Sequence, residues 1–186
     1  MKNLQFKQLE LETLLEITNT LIEHENIGDL LQDILIRTCG ILDASSGFVL
    51  IEEKNSDLFI PKAVFNFDEQ ALQKIIFNKK RGFIAQLASA KQKHTCIPLD
   101  SMVVEKLKKS YSLVAPITGK NQLLGCIVIL DKEMRNGLSD FSPEDSDMLS
   151  AISVQASVAY NNTYLLDTLI ESKRFNDNVM ESIHTG

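Results

Sequence analysis

Residues 112–132, SLVAPITGKNQLLGCIVILDK, decide how this chain folds. Val114 and Pro116 lead into Thr118-Gly119-Lys120-Asn121, where Gly and Asn tolerate positive φ, and Leu123 to Leu130 then supplies a β-branched and aliphatic run. The pattern predicts a strand, a tight turn and a longer buried strand. A helix start follows at Phe141-Ser142-Pro143-Glu144-Asp145. Ser142 suits the N-cap, Pro143 the first helical position, and the two acids the positive end of the helix dipole.

Working upstream, Phe48 to Glu52 reads as a first strand, Glu53 to Asp57 as a polar hairpin connection and Leu58 to Phe67 as the partner strand. Asp68 to Phe77 has a helical pattern with Leu72, Ile75 and Ile76 as its apolar face. Gly82 breaks the chain after Lys79-Lys80-Arg81, and Phe83 to Ala90 reads as a short helix. An extended piece, His94 to Pro98, precedes a helix over Asp100 to Lys109, with Asp100 or Ser101 as its cap. Leu31, Ile34, Leu35, Thr38 and Leu42 repeat at helical spacing over Leu30 to Leu42, and Asp43 to Gly47 ends that helix. Residues 3–25 hold neither Gly nor Pro and put Leu4, Leu11, Leu15 and Ile22 on one stripe. From Ser142 to about Ser182 no Gly intervenes, which allows a helix of ~40 residues and ~60 Å. The fold class expected is α+β: an antiparallel sheet with helices on both faces and long N- and C-terminal helices.

Composition bounds the function. The 186 residues are 44% hydrophobic and 24% charged, as in a soluble globular protein with one core. The net charge is −6 and the basic residues are scattered apart from Lys79-Lys80-Arg81, which argues against nucleic acid as a partner. No apolar run approaches the roughly 20 residues that span a bilayer, and the start MKNLQFKQLELE lacks a signal peptide's apolar centre, so no membrane contact and a cytoplasmic location are expected. Cys39, Cys96 and Cys126 are widely spaced with no CxxC pair, which suits reduced thiols rather than a disulfide or zinc framework.

With LLQDILIRTCGILDASSGFVLI near the start and SLVAPITGKNQLLGCIVILDK near the end, the chain resembles a GAF domain over about residues 10–165. The resemblance implies a central antiparallel sheet backed by the first and last helices, with short helices and loops folded over its other face to enclose a small-molecule ligand. It further implies a non-enzymatic sensory module of a bacterial signalling protein, of the sensor kinase or cyclic-dinucleotide synthase type. The expected division is a dimerisation helix over 1–26, the GAF domain over 27–160 and a C-terminal signalling helix over 161–186. The tail FNDNVMESIHTG is similar to the lead-in of a PAS domain, so a further module is expected downstream. A homodimer through the terminal helices is expected from the stripe Leu4, Leu11, Leu15 and Ile22 and from Leu165, Leu166, Leu169 and Ile170, whose apolar run needs a partner.

Cyclic-nucleotide-binding members of the family carry Asn-Lys, then Phe, then Asp-Glu. Here Lys132, Phe141 and Asp145 match, while Asp131 and Ser146 depart, so Lys132 and Asp145 are expected as a structural ion pair rather than a nucleotide signature. Bilin-binding relatives attach the pigment to a Cys followed by His; Cys96 is followed by Ile97, so no bilin is expected. Haem or metal ligation through His94 and Cys96 lacks a supporting cluster and is disfavoured. Sulfoxide-reducing members need two lid cysteines, and only Cys96 falls there. No Ser-His-Asp set, P-loop or HExxH occurs, and no catalytic residue is assigned.

The ligand is left unidentified, with the sheet's inner face and the lid as its expected walls. On alternation, Phe48, Leu50, Val64, Asn66, Val114, Pro116, Ile127 and Ile129 are placed on the sheet side, and Phe83, Ile84, Cys96, Ile97 and Met102 on the lid. One alternative is that these side chains simply fill a core, leaving a ligand-free dimerisation module; a further one is a reductase that depends on Cys96.

Overall fold

The computed structural model describes residues 26–184 except 55, 91–94 and 121. The stripe residues Leu4, Leu11, Leu15 and Ile22, together with His94, lie outside the described residues.

The elements run α1 (Ile27–Ile41), β1 (Ala44–Glu52), β2 (Leu58–Phe65), α2 (Glu69–Gln73), β3 (Phe77–Asn78), α3 (Gly82–Ser89), α4 (Ser101–Leu107), β4 (Ser112–Thr118), β5 (Leu123–Met134), β6 (Gly137–Ser139) and α5 (Pro143–His184). Among the described residues, the six strands form one sheet in the order β3-β2-β1-β5-β4, with β6 paired to β5. The pairings are antiparallel.

Two cores flank the sheet, because successive side chains of a strand point to opposite faces. On one face Val49, Ile51, Ala63, Ala115, Ile117, Ile127 and Ile129 pack against Leu30, Leu31, Ile34 and Leu35 of α1 and Met148, Leu149, Ile152 and Ala156 of α5. On the other, Phe48, Leu50, Val114, Cys126, Val128 and Leu130 meet a lid made by α2, β3, α3 and α4. Helix α1 begins where Asn26 accepts a hydrogen bond from Asp29 N at 2.9 Å. Gln32 then pairs with the backbone of Val64, donating to its carbonyl at 3.0 Å and accepting from its N–H at 3.2 Å. In this way the side-chain amide completes a stretch of β2 that β3 does not reach.

Several boundaries differ from the sequence reading. The first strand opens at Ala44 rather than Phe48, because Asp43 turns the chain at φ 51° and the small, buried Ala44 and Ser46 let it enter the sheet directly. The helix expected over 68–77 ends at Gln73, and Phe77 instead pairs with Phe59. The hairpin strand β6 was not foreseen.

One correction concerns parity on β5. Ile127 and Ile129 face the long helices, not the lid, because Val114 pairs with Val128 and Pro116 with Cys126.

Candidate functional site

The lid face of the sheet is filled by side chains. Phe48 and Phe77 lie 6.0 Å apart between ring centroids, Phe77 and Phe83 6.1 Å, and Phe48 and Phe67 6.3 Å, a chain of tilted and edge contacts that favours close packing. Val64 and Ile97 pack against this cluster, in which Ile84 and Val114 are buried.

Open space lies instead within the lid. A cleft of about 320 Å³ runs between β3 with its preceding turn and the helices α3 and α4. Ile75, Ile76, Phe77, Phe83, Ile84, Met102 and Val103 supply apolar wall, and Lys74, Arg81, Lys106 and Asp100 supply charge. Gly82, at φ 59°, makes the sharp entry to α3, and a Cβ there would collide with the Asp100 carboxylate. That carboxylate accepts from Phe83 N at 2.8 Å. Of the two expected caps, Asp100 rather than Ser101 holds the N-cap position of α4, but its carboxylate makes no bond there and serves α3 instead, tying the two lid helices together.

The lid also reaches the edge strand. Ile97 and Val114 exchange backbone hydrogen bonds of 3.0 and 2.8 Å, and Leu99 N donates to Ser112 Oγ at 3.0 Å. Helix α5 holds the same strand. Ser153 Oγ donates to the Pro116 carbonyl, Ser157 Oγ accepts from Thr118 N at 2.9 Å, and Asn161 Nδ2 donates to the Thr118 carbonyl at 3.0 Å. Ser153 and Ser157 are buried, so these bonds offset a real desolvation cost. The sequence reading missed this row; three polar residues at intervals of four in an otherwise apolar helix face were the available signal.

The remaining candidates are dispersed. Asn66 is exposed at φ 47° and donates to the Ser45 carbonyl at 2.7 Å, so it terminates β2 rather than lining a cavity. Cys96 packs on the helix side, its thiol 3.4 Å from the Ser146 carbonyl of α5, since neighbours in an extended segment point opposite ways and Ile97 takes the lid side. Burial pushes the Cys96 thiol up to about 11, which suppresses the nucleophilic thiolate. Met102 stands at the cleft mouth, 67% exposed. Lys132 Nζ bonds both oxygens of Asp145. Asp131, where the nucleotide-binding pattern has Asn, is buried at φ 49° and accepts from Ser110 N and Tyr111 N at 2.8 and 2.9 Å, a structural task. Leu165, Leu166, Leu169 and Ile170 are exposed on α5. Among the described residues no cluster of His, Cys, Asp and Glu is suited to a metal, and no helix is long and apolar enough to cross a membrane.

This curled sheet between a pair of helices and a segmented lid is the architecture of one family of regulatory domains. The family model for the GAF domain matches residues 26–162, well over half of the sequence, and the chain belongs to that family. No curated protein matches the sequence. Among solved structures, the GAF domain of a candidate sensor histidine kinase from Pseudomonas syringae pv. tomato superimposes with a TM-score of 0.68 at 16% identity, covering 92% of this chain and 97% of that one. The GAF domain of a phosphoenolpyruvate-protein phosphotransferase from Coxiella burnetii gives 0.66 at 18%, covering 86% and 96%. The phycocyanobilin-bound GAF domain of a cyanobacterial phytochrome gives 0.66 at 16%, covering 84% and 96%. At these identities the likeness concerns the fold.

Proposed function

We propose that this GAF domain is a sensory input module: a small molecule binds at the lid, and the change passes through β4 to α5 and on to a downstream output domain. The supporting observation is that one edge strand is gripped from both sides. Ile97 and Leu99 of the lid hold Val114 and Ser112, while Ser153, Ser157 and Asn161 of α5 hold Pro116 and Thr118. A ligand that favours one lid position therefore biases the strand that seats the helix, which is the differential binding that any such switch needs. Exposed Leu165, Leu166, Leu169 and Ile170 continue the helix beyond the sheet and pair with a second copy in this reading.

Thermal unfolding of the 186-residue chain against cyclic nucleotides, amino acids, 2-oxo acids and haem tests it, because a ligand of the folded state raises Tm as its concentration passes Kd. Hydrogen exchange then follows α5. A shift in Tm together with altered exchange at residues 153–161 is the expected result. The second reading, a ligand-free pairing module, draws on the aromatic packing of Phe48, Phe77 and Phe83 beneath the lid. A dimer by light scattering with no Tm shift from any compound supports that one.

A further inference from the structure

We infer that the lid cleft takes a small organic monocarboxylate with a short aliphatic body, an assignment that rests on the lid being the ligand-facing part of the domain. The chain as a whole is acidic, at −6, yet three cations and one carboxylate line this cleft. The run Lys79-Lys80-Arg81 divides in a telling way. Lys79 pairs with Glu52 and Lys80 with Asp57, whereas Arg81 lines the cleft with Lys74 and Lys106, and none of these three has a carboxylate partner among the described residues. The cleft thus carries a surplus of positive charge, while both lysines beside Arg81 in the sequence are neutralised.

Apolar surface sets the rest of the ligand. Ile76 is 81% exposed and Met102 67%, both at the cleft, with Ile75 and Val103 half-buried behind them. These side chains gain by being covered. A volume of about 320 Å³ is at the small end for ligand sites. A doubly charged phosphate fits the chemistry less well, because the Phe83 N–H at the start of α3 is already taken by Asp100, whose own charge repels a dianion. A single carboxylate reaching Arg81, with its chain on Ile76 and Met102, meets both requirements.

Amide NMR titration of the full chain with hexanoate, hexanol and inorganic phosphate tests the inference, read at Ile76, Phe83 and Val103. Hexanoate is expected to move these amides at concentrations where hexanol and phosphate do not. Arg81→Gln, an exposed change, is expected to weaken hexanoate about tenfold, the loss of one charge-assisted hydrogen bond, and Arg81→Lys to recover part of it. Equal binding of hexanol, tighter binding of phosphate, an unchanged affinity in Arg81→Gln or unmoved amides up to the solubility limit each overturn it. A neutral compound that raises Tm while hexanoate leaves the cleft unmoved removes the anion class but keeps the sensory reading. Hexanoate binding with unaltered exchange in α5 does the reverse.

Discussion

Lys132 Nζ lies 2.7 Å from each carboxylate oxygen of Asp145, joining the long strand β5 to the first turn of α5. Asp145 has a second task. Its Oδ2 accepts from Ser142 N at 2.7 Å while Ser142 Oγ accepts from Asp145 N at 3.2 Å, a reciprocal box that satisfies two open donors at the helix start. Lys132→Met leaves the box intact and is expected to cost about 2 kcal/mol, below the range for fully buried pairs because the side chains are 17% and 11% exposed. Asp145→Ala removes both functions and is expected to cost about 3 kcal/mol by urea unfolding. Equal costs for the two would mean that the cap contributes nothing.

Gly125 sits between Ile51 of β1 and Ile117 of β4, where a Cβ would strike the Leu50 carbonyl and the Ile51 side chain. Backbone cannot yield as a flexible side chain can, so Gly125→Ala is expected to lose about 2 kcal/mol or more. Gly40, in α1, has nothing within 4 Å of a Cβ. Gly40→Ala is expected to gain about 0.5–1 kcal/mol from helix propensity, measured in the same denaturant series.

The three thiols predict a loss of stability in alkali. Burial raises Cys39 from the ordinary 9.0 to about 12 and Cys96 to about 11, and raises Cys126 as well. The unfolded chain releases these protons first, so the stabilising contribution is complete below pH 9.0 and is lost as pH rises toward 11 and 12. Each thiol steepens the fall by at most about 1.4 kcal/mol per pH unit, which urea midpoints across that range measure. Iodoacetamide is correspondingly expected to leave folded Cys96 almost unlabelled near neutral pH and to label it on unfolding.

Ser157→Ala strips the Thr118 N–H of its acceptor while leaving the apolar seat of α5 in place. Faster hydrogen exchange at Thr118 and a loss of about 1 kcal/mol are expected. Unchanged exchange there would show that the Ser157 hydroxyl does not hold Thr118.

Much of this fold was readable because its punctuation is chemical. Gly119 marks the hairpin, and Ser142-Pro143 with Glu144 and Asp145 marks the start of α5. The site was less readable for an equally physical reason. From Leu123 to Leu130 both faces of β5 are covered, so no polar residue alternates to reveal which side faces which layer, and Ile127 and Ile129 were assigned to the wrong one. Cys96 suffered the same one-residue error beside Ile97. Asp100 stands at the N-cap as read, but the donor its carboxylate serves, Phe83 N, is seventeen residues away and no periodicity connects them. The cleft cations could not be told from their solvated neighbours until Lys79 and Lys80 were seen to be occupied.

Among the described residues, the apolar and hydrogen-bonded seat of α5 ends near Asn161, whereas the helix runs to His184. In the proposed sensory reading, the overhang of some two dozen residues, about 36 Å at helical rise, acts as a lever arm with its fulcrum on the edge strand. A pivot of about 10° near Asn161 swings the far tip by about 6 Å, more than the rise of one helical turn. In that reading, displacements too small to disturb the sheet's hydrogen bonds become movements of several ångströms at the tip.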